Sequence, residues 1–149
     1  MRDSLGGMEQ PPRSPVSAHS LLAGARELSA AVATLVQHAK ESARATALLA
    51  AHCVELSLKS FLLSREWSEG ALQKLDHDLI KAWSAAREAG LSLDPQPPYW
   101  YQLLQTVHDN PYFGRYPPAN SGLVTPNPGE LQARITELIA LVSKERHAA

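Results

Sequence analysis

From Ser17 onward, apolar residues recur at steps of three and four. Leu21, Ala25, Leu28, Val32, Leu35 and Ala39 therefore share one face of a predicted amphipathic helix. The next stretch has a different pattern. Residues 48–63 are apolar almost all round, interrupted on one side by His52, Glu55 and Lys59. At about 100° per residue, their i, i+3, i+7 spacing sets these three on one narrow stripe, close enough for side chains to meet. A helix apolar on nearly every face belongs at the centre of a fold. No Gly or Pro separates it from the first helix, yet an unbroken rod over residues 17–67 would be about 75 Å long. A compact domain of this size is far smaller, so a break is predicted within residues 38–42, with Ser42 as N-cap.

The central helix is predicted to run to about Arg65. Ser68-Glu69-Gly70 then forms a turn before a short amphipathic piece at 71–75. Asp76 is placed to cap the next helix, whose apolar face is Leu79, Ile80, Trp83 and Ala86, with Gly90 just past its end. After a linker at 91–97, Pro98 opens a helix with Trp100, Leu103, Leu104 and Val107 on one face. Asn110-Pro111 stops it, because the residue before proline disfavours helical geometry. Residues 111–127 form a long aromatic loop. Asn127, Pro128 and Glu130 then announce a last helix with Leu131, Ile135, Leu138, Ile139 and Val142 inward. No segment alternates with period two. The predicted fold class is all-α, a helical bundle of about five helices, with residues 1–16 as a disordered tail and 17–149 as a single domain.

Composition narrows the function only slightly. A chain of 149 residues with 44% hydrophobic content builds one core, and a net charge of -1 gives no global field for a polyanion, so nucleic-acid contact would need a local patch. The single cysteine, Cys53, lies among alanines and leucines as a buried small hydrophobe, which excludes a disulfide framework within the chain. No leader-like apolar run and no uninterrupted membrane-length run is seen. The expectation is a cytoplasmic protein with no membrane partner.

The order of features carries a resemblance. A helix with Ala51-His52-Cys53-Val54-Glu55-Leu56-Ser57-Leu58-Lys59 is followed by a helix opening with His77-Asp78-Leu79, then by an aromatic loop with Arg115-Tyr116-Pro117. Over residues 20–146 this resembles the HEPN superfamily, small prokaryotic helical bundles that include toxin ribonucleases and proteins linked to minimal nucleotidyltransferases. The resemblance implies a homodimer in a toxin-antitoxin, nucleotidyltransferase-linked or defence setting, with RNA, a nucleotide or a nucleotidyltransferase-type protein as partner, and no cofactor. Nuclease members cleave RNA without metal, through an arginine and a histidine with four to six residues between them, contributed by both subunits at the dimer cleft. Here Arg115 is followed by Tyr116, Pro117, Pro118, Ala119, Asn120 and Ser121, and the later His147 ends the last helix. A literal match, Arg13 to His19, lies at the tail. The resemblance is therefore to a non-nuclease branch.

Two readings of the polar residues stay open. Glu55 can pair with Lys59 at i, i+4 and with His52 in a structural network, or the stripe can line a ligand or RNA cleft. His77 and Asp78 suit a helix start that docks onto Glu55. A zinc site from His52, His77, Glu55 and Asp78 is conceivable, but the spacing matches no metal motif and no metal is expected. Tyr112, Arg115 and Tyr116 offer either loop packing or a recognition surface, and Arg115 either acts or pins the loop through Glu55. The first expectation is a non-catalytic binding module using Arg115, Tyr112, Tyr116, Glu55, Lys59, His52 and His77. The enzyme alternative is an endoribonuclease with His77, His108 and Arg115 as catalytic candidates. A structural subunit of a complex is the third.

Overall fold

A computed structural model describes residues 15–117 and 123–147. Among the described residues there are six helices and no strand: α1 (Ala18–Val36), α2 (Ala39–Ser64), α3 (Glu69–Leu75), α4 (Leu79–Glu88), α5 (Tyr99–His108) and α6 (Pro128–Glu145). The all-α bundle is as predicted, with the short piece after the central helix counting as a sixth element. The helix α2 packs against each of the other five. Its Ala47, Ala50, Ala51, Cys53, Val54, Leu58, Phe61 and Leu62 are all buried, which is what a helix apolar nearly all round requires. The segment Lys40–Ser64 is long and apolar enough to cross a membrane, but 67% of its most apolar window is buried within the bundle.

The helix ends show where local chemistry decided the boundaries. Ser17 caps α1, its hydroxyl accepting from the Ser20 N–H while Ser20 reciprocates. The break falls at Gln37-His38, and Ser42 is not the N-cap. It sits one turn inside α2, its hydroxyl donating to the carbonyls of His38 (2.7 Å) and Leu35 (3.0 Å), which also accept backbone N–H groups, so the side chain bridges the junction of α1 and α2. Asp76 likewise does not cap α4. It closes α3 with φ of 50°, and Asp78 is the cap, its carboxylate accepting from the Lys81 N–H at 3.0 Å. Past α4, Gly90 adopts φ of 109°, Leu91 N–H bonds to Ala86 O and Gly90 N–H to Arg87 O. This is the left-handed helix stop that glycine permits, with Leu91 buried as its apolar closure.

The helix α5 is rotated from the predicted face. Tyr101, Leu104, Val107 and His108 are buried, whereas Trp100 and Leu103 are half-buried. The reason is that Tyr101 fills the core against Trp83, with ring centroids 4.7 Å apart, and sends its hydroxyl to the Leu79 carbonyl. That rotation turns His108 inward toward α2. The helix α6 buries the five residues expected of it, and Asn127 caps it by accepting from the Glu130 N–H. Of the predicted tail, residues 1–14 lie outside the described residues. Val16 donates its backbone N–H to Glu69 at 2.8 Å, tying the start of α1 to α3.

Candidate functional site

Glu55 sits midway along α2 with 4% of its surface exposed, and four basic side chains converge on its carboxylate. His77 Nδ1 is 2.8 Å from Oε1, His108 Nε2 is 3.3 Å from the same oxygen, and His52 Nδ1 is 3.5 Å from Oε2. Lys59 Nζ is 3.6 Å from Oε1 and donates to the Asp76 carbonyl at 2.9 Å. The four partners arrive from three structural causes. His52 and Lys59 lie one turn before and after Glu55 on a rigid helix. His77 is delivered by the reversal at Asp76, and His108 by the inward rotation of α5. One carboxylate thus joins α2, the start of α4 and the end of α5.

Burial alone would raise the pKa of Glu55. Hydrogen bonds from His108 and His52, the charge of Lys59 and the hydrogen bond from His77 outweigh it and hold the carboxyl well below its ordinary value. Glu55 is therefore an acceptor-only carboxylate, and the nitrogen His77 turns to it at 2.8 Å carries the proton. A carboxylate held so firmly in its charged form is a poor general base. On His77, Nε2 points away from Glu55 toward Asp76, 3.7 Å from its carboxylate, and the side chain is 31% exposed. On His108, Nδ1 is buried and has no hydrogen-bond partner.

The aromatic loop meets this cluster at its outer edge. Gly114 N–H donates to Val107 O at 2.9 Å, and the N–H groups of Arg115 and Tyr116 both return to Tyr112 O. A Cβ at Gly114 would lie 2.7 Å from the Val107 carbonyl oxygen and 2.6 Å from its side chain, so only glycine lets the loop close against α5. Tyr112 has φ of 61°, a left-handed conformation costing a bulky residue about 1 kcal/mol. Its ring stands edge-on to His77, centroids 6.2 Å apart, and the Arg115 guanidinium lies 5.9 Å from its centre. Glu55, His77, Tyr112 and Arg115 thus form one line of contacts from a buried carboxylate to an exposed guanidinium.

Comparison with protein-family models, with curated proteins and with solved structures finds no match. The site is consequently read from its own geometry. Of the sequence candidates, His52, Glu55, Lys59 and His77 come together and Tyr112 joins them through His77. Arg115 does not pair with Glu55; it is exposed above Tyr112 because the Gly114 turn aims it outward. Tyr116 is 70% exposed, and His108 is in the core rather than on a cleft wall. In the Arg13–His19 match, Arg13 lies outside the described residues and His19 is exposed on α1.

One residue escaped the sequence reading. Gln105 accepts from the N–H groups of Leu79 (2.6 Å) and Ile80 (3.2 Å) and donates to Asp78 and Asp109. It clamps the start of α4, and so His77, onto α5. The Gln105/Asp109 pairing at i, i+4 was the visible signal.

Proposed function

We propose that this chain is a non-catalytic, HEPN-like binding module that takes single-stranded RNA on the surface formed by His77, Tyr112, Arg115 and Tyr116. The observation that supports it is the exposed Arg115 guanidinium over the Tyr112 ring, held on a loop that Gly114 locks to α5. Bases stack on aromatic faces and phosphates pair with arginine, so this pairing suits a single strand without reading sequence. The near-neutral chain is consistent with local rather than global attraction. As in the family it resembles, the module acts as a homodimer, beside a nucleotidyltransferase-type or other toxin-antitoxin or defence partner.

Fluorescence anisotropy with a labelled single-stranded oligoribonucleotide tests this. Tyr112→Ala and Arg115→Ala should each weaken binding by roughly tenfold, in line with a stacking contribution of about 1–3 kcal/mol. Wild-type protein that leaves anisotropy unchanged, or variants that bind as the wild type does, would overturn the reading. Light scattering should report twice the chain mass; a monomer would remove the homodimer.

A second reading, an endoribonuclease, is favoured by His77 alone. Its Nδ1 is held by Glu55, its Nε2 points toward Asp76 at 3.7 Å and its side chain is 31% exposed, the arrangement of a histidine oriented for proton transfer. RNA incubated with the protein in EDTA decides it: cleavage lost in both His77→Ala and Arg115→Ala would make the chain an enzyme.

A further inference from the structure

We propose that His52, Glu55 and His108 form a zinc site, three protein ligands around one Zn²⁺ with a fourth position open toward solvent. The inference is independent of the RNA reading.

Geometry carries it. The donor atoms of these three side chains all lie within 4.8 Å of one another. The His108 Nε2 to Glu55 Oε1 separation is 3.3 Å and the His52 Nδ1 to Glu55 Oε2 separation is 3.5 Å. Both are long for a hydrogen bond between imidazole and carboxylate, which prefers about 2.7–2.9 Å. Both are near the roughly 3.4 Å that separates two ligand atoms bound to one zinc at about 2.0–2.1 Å, His108 facing Oε1 and His52 facing Oε2 of the carboxylate. His77, at 2.8 Å, makes the shortest contact to the carboxylate. It is thus the outer partner that orients a ligating carboxylate, as metal sites require.

A second observation concerns His108. It is buried to within 2% of its surface, one ring nitrogen has no partner, and the other has only the distant Glu55. A metal bond would replace the long 3.3 Å contact of Nε2 with a stronger one, while Nδ1, the nitrogen without a partner, is not a ligand in this arrangement. The scaffold also suits a site, since His52 and Glu55 are one turn apart on the 26-residue α2 and His108 ends α5. His52, with 45% of its side chain exposed, marks the side from which an ion enters and where the fourth ligand would stand.

The donor set selects the ion. Two imidazoles and one carboxylate suit zinc and its neighbours, not magnesium or calcium, which take oxygen ligands. Lys59 opposes a cation from 3.6 Å, so it lowers the affinity of the site rather than creating it.

The test uses the full chain stripped with EDTA and then titrated with Zn²⁺ by calorimetry, and with Co²⁺ by absorption. One equivalent of Zn²⁺ should bind, and Co²⁺ should give the intense visible bands of a tetrahedral site. His52→Ala, half-exposed and therefore tolerated by the fold, should abolish both signals. His77→Ala should weaken binding by about 10–100-fold, Lys59→Met should tighten it, and His19→Ala on exposed α1 should change nothing. Wild-type protein that takes up no stoichiometric Zn²⁺, or a His52→Ala variant that binds as the wild type does, overturns the proposal.

Discussion

Replacing Glu55 removes the one acceptor on which His52, Lys59, His77 and His108 converge. In Glu55→Ala the Lys59 ammonium and the three imidazoles lose their buried acceptor, a loss of about 3–5 kcal/mol for breaking a buried pair. For a domain of about 150 residues that lowers Tm by roughly 6–20 °C. Glu55→Gln keeps the volume and one carbonyl for His77 but exchanges charge-assisted bonds for neutral ones, a loss of about 2 kcal/mol. Urea melts in EDTA measure both, with Glu137→Gln as control, since that side chain is 65% exposed and should stay within about 0.5 kcal/mol of wild type.

The pH dependence has a definite sign. The folded carboxyl titrates below its ordinary value of 4.5, so its contribution is fully present above that pH and fades as pH falls toward the folded value. The difference between wild type and Glu55→Gln should therefore narrow below pH 4.5. A Glu55→Ala protein as stable as wild type, or a gap that widens on acidification, would refute the hub.

Two further outcomes are expected. Gly114→Ala should cost about 1–3 kcal/mol through overpacking against Val107; it should also weaken RNA binding, because Tyr112 and Arg115 lose their placement, and both are read by melting and anisotropy. Cys53, whose thiol bonds to the Ala25 carbonyl, has its pKa pushed up by burial to about 12 from 9.0, with Ser57 opposing weakly. At pH 8 its thiolate fraction is about a thousandfold below that of a free thiol, so iodoacetamide should label the native protein far more slowly than the urea-unfolded chain; equal rates would contradict the burial.

The fold was largely legible because its strongest signals are periodic. The apolar face of α6, the all-round apolarity of α2 and the glycine after α4 each have one physical solution, and each is found. The short-range polar chemistry was less legible. Asp76 and Asp78 are both good caps in isolation, and only the chain reversal at φ of 50° separates them. Ser42 lost its capping role because α2 starts a turn earlier, at Ala39 after the His38 N-cap, which leaves its hydroxyl to donate to the carbonyls of Leu35 and His38.

The site was legible in part for the same reason. His52, Glu55 and Lys59 are fixed by helix periodicity, and His77 follows from its docking helix. His108 joined them because Tyr101, not Trp100, took the core position of α5, a choice made by packing against Trp83. Of the two roles open to Arg115, pairing with Glu55 is not found, and its guanidinium stands over Tyr112. Backbone hydrogen bonds at Tyr112 and Gly114 set that direction, and no periodic pattern encodes it.

The most direct measurement is an amide NMR spectrum of the labelled protein titrated with a short single-stranded oligoribonucleotide. The account predicts shifts concentrated at His77, Tyr112, Arg115 and Tyr116, the outer end of the line that begins at Glu55. An unperturbed spectrum, or shifts gathered instead around the Trp100 and Arg134 groove on the α5 and α6 side, would contradict it.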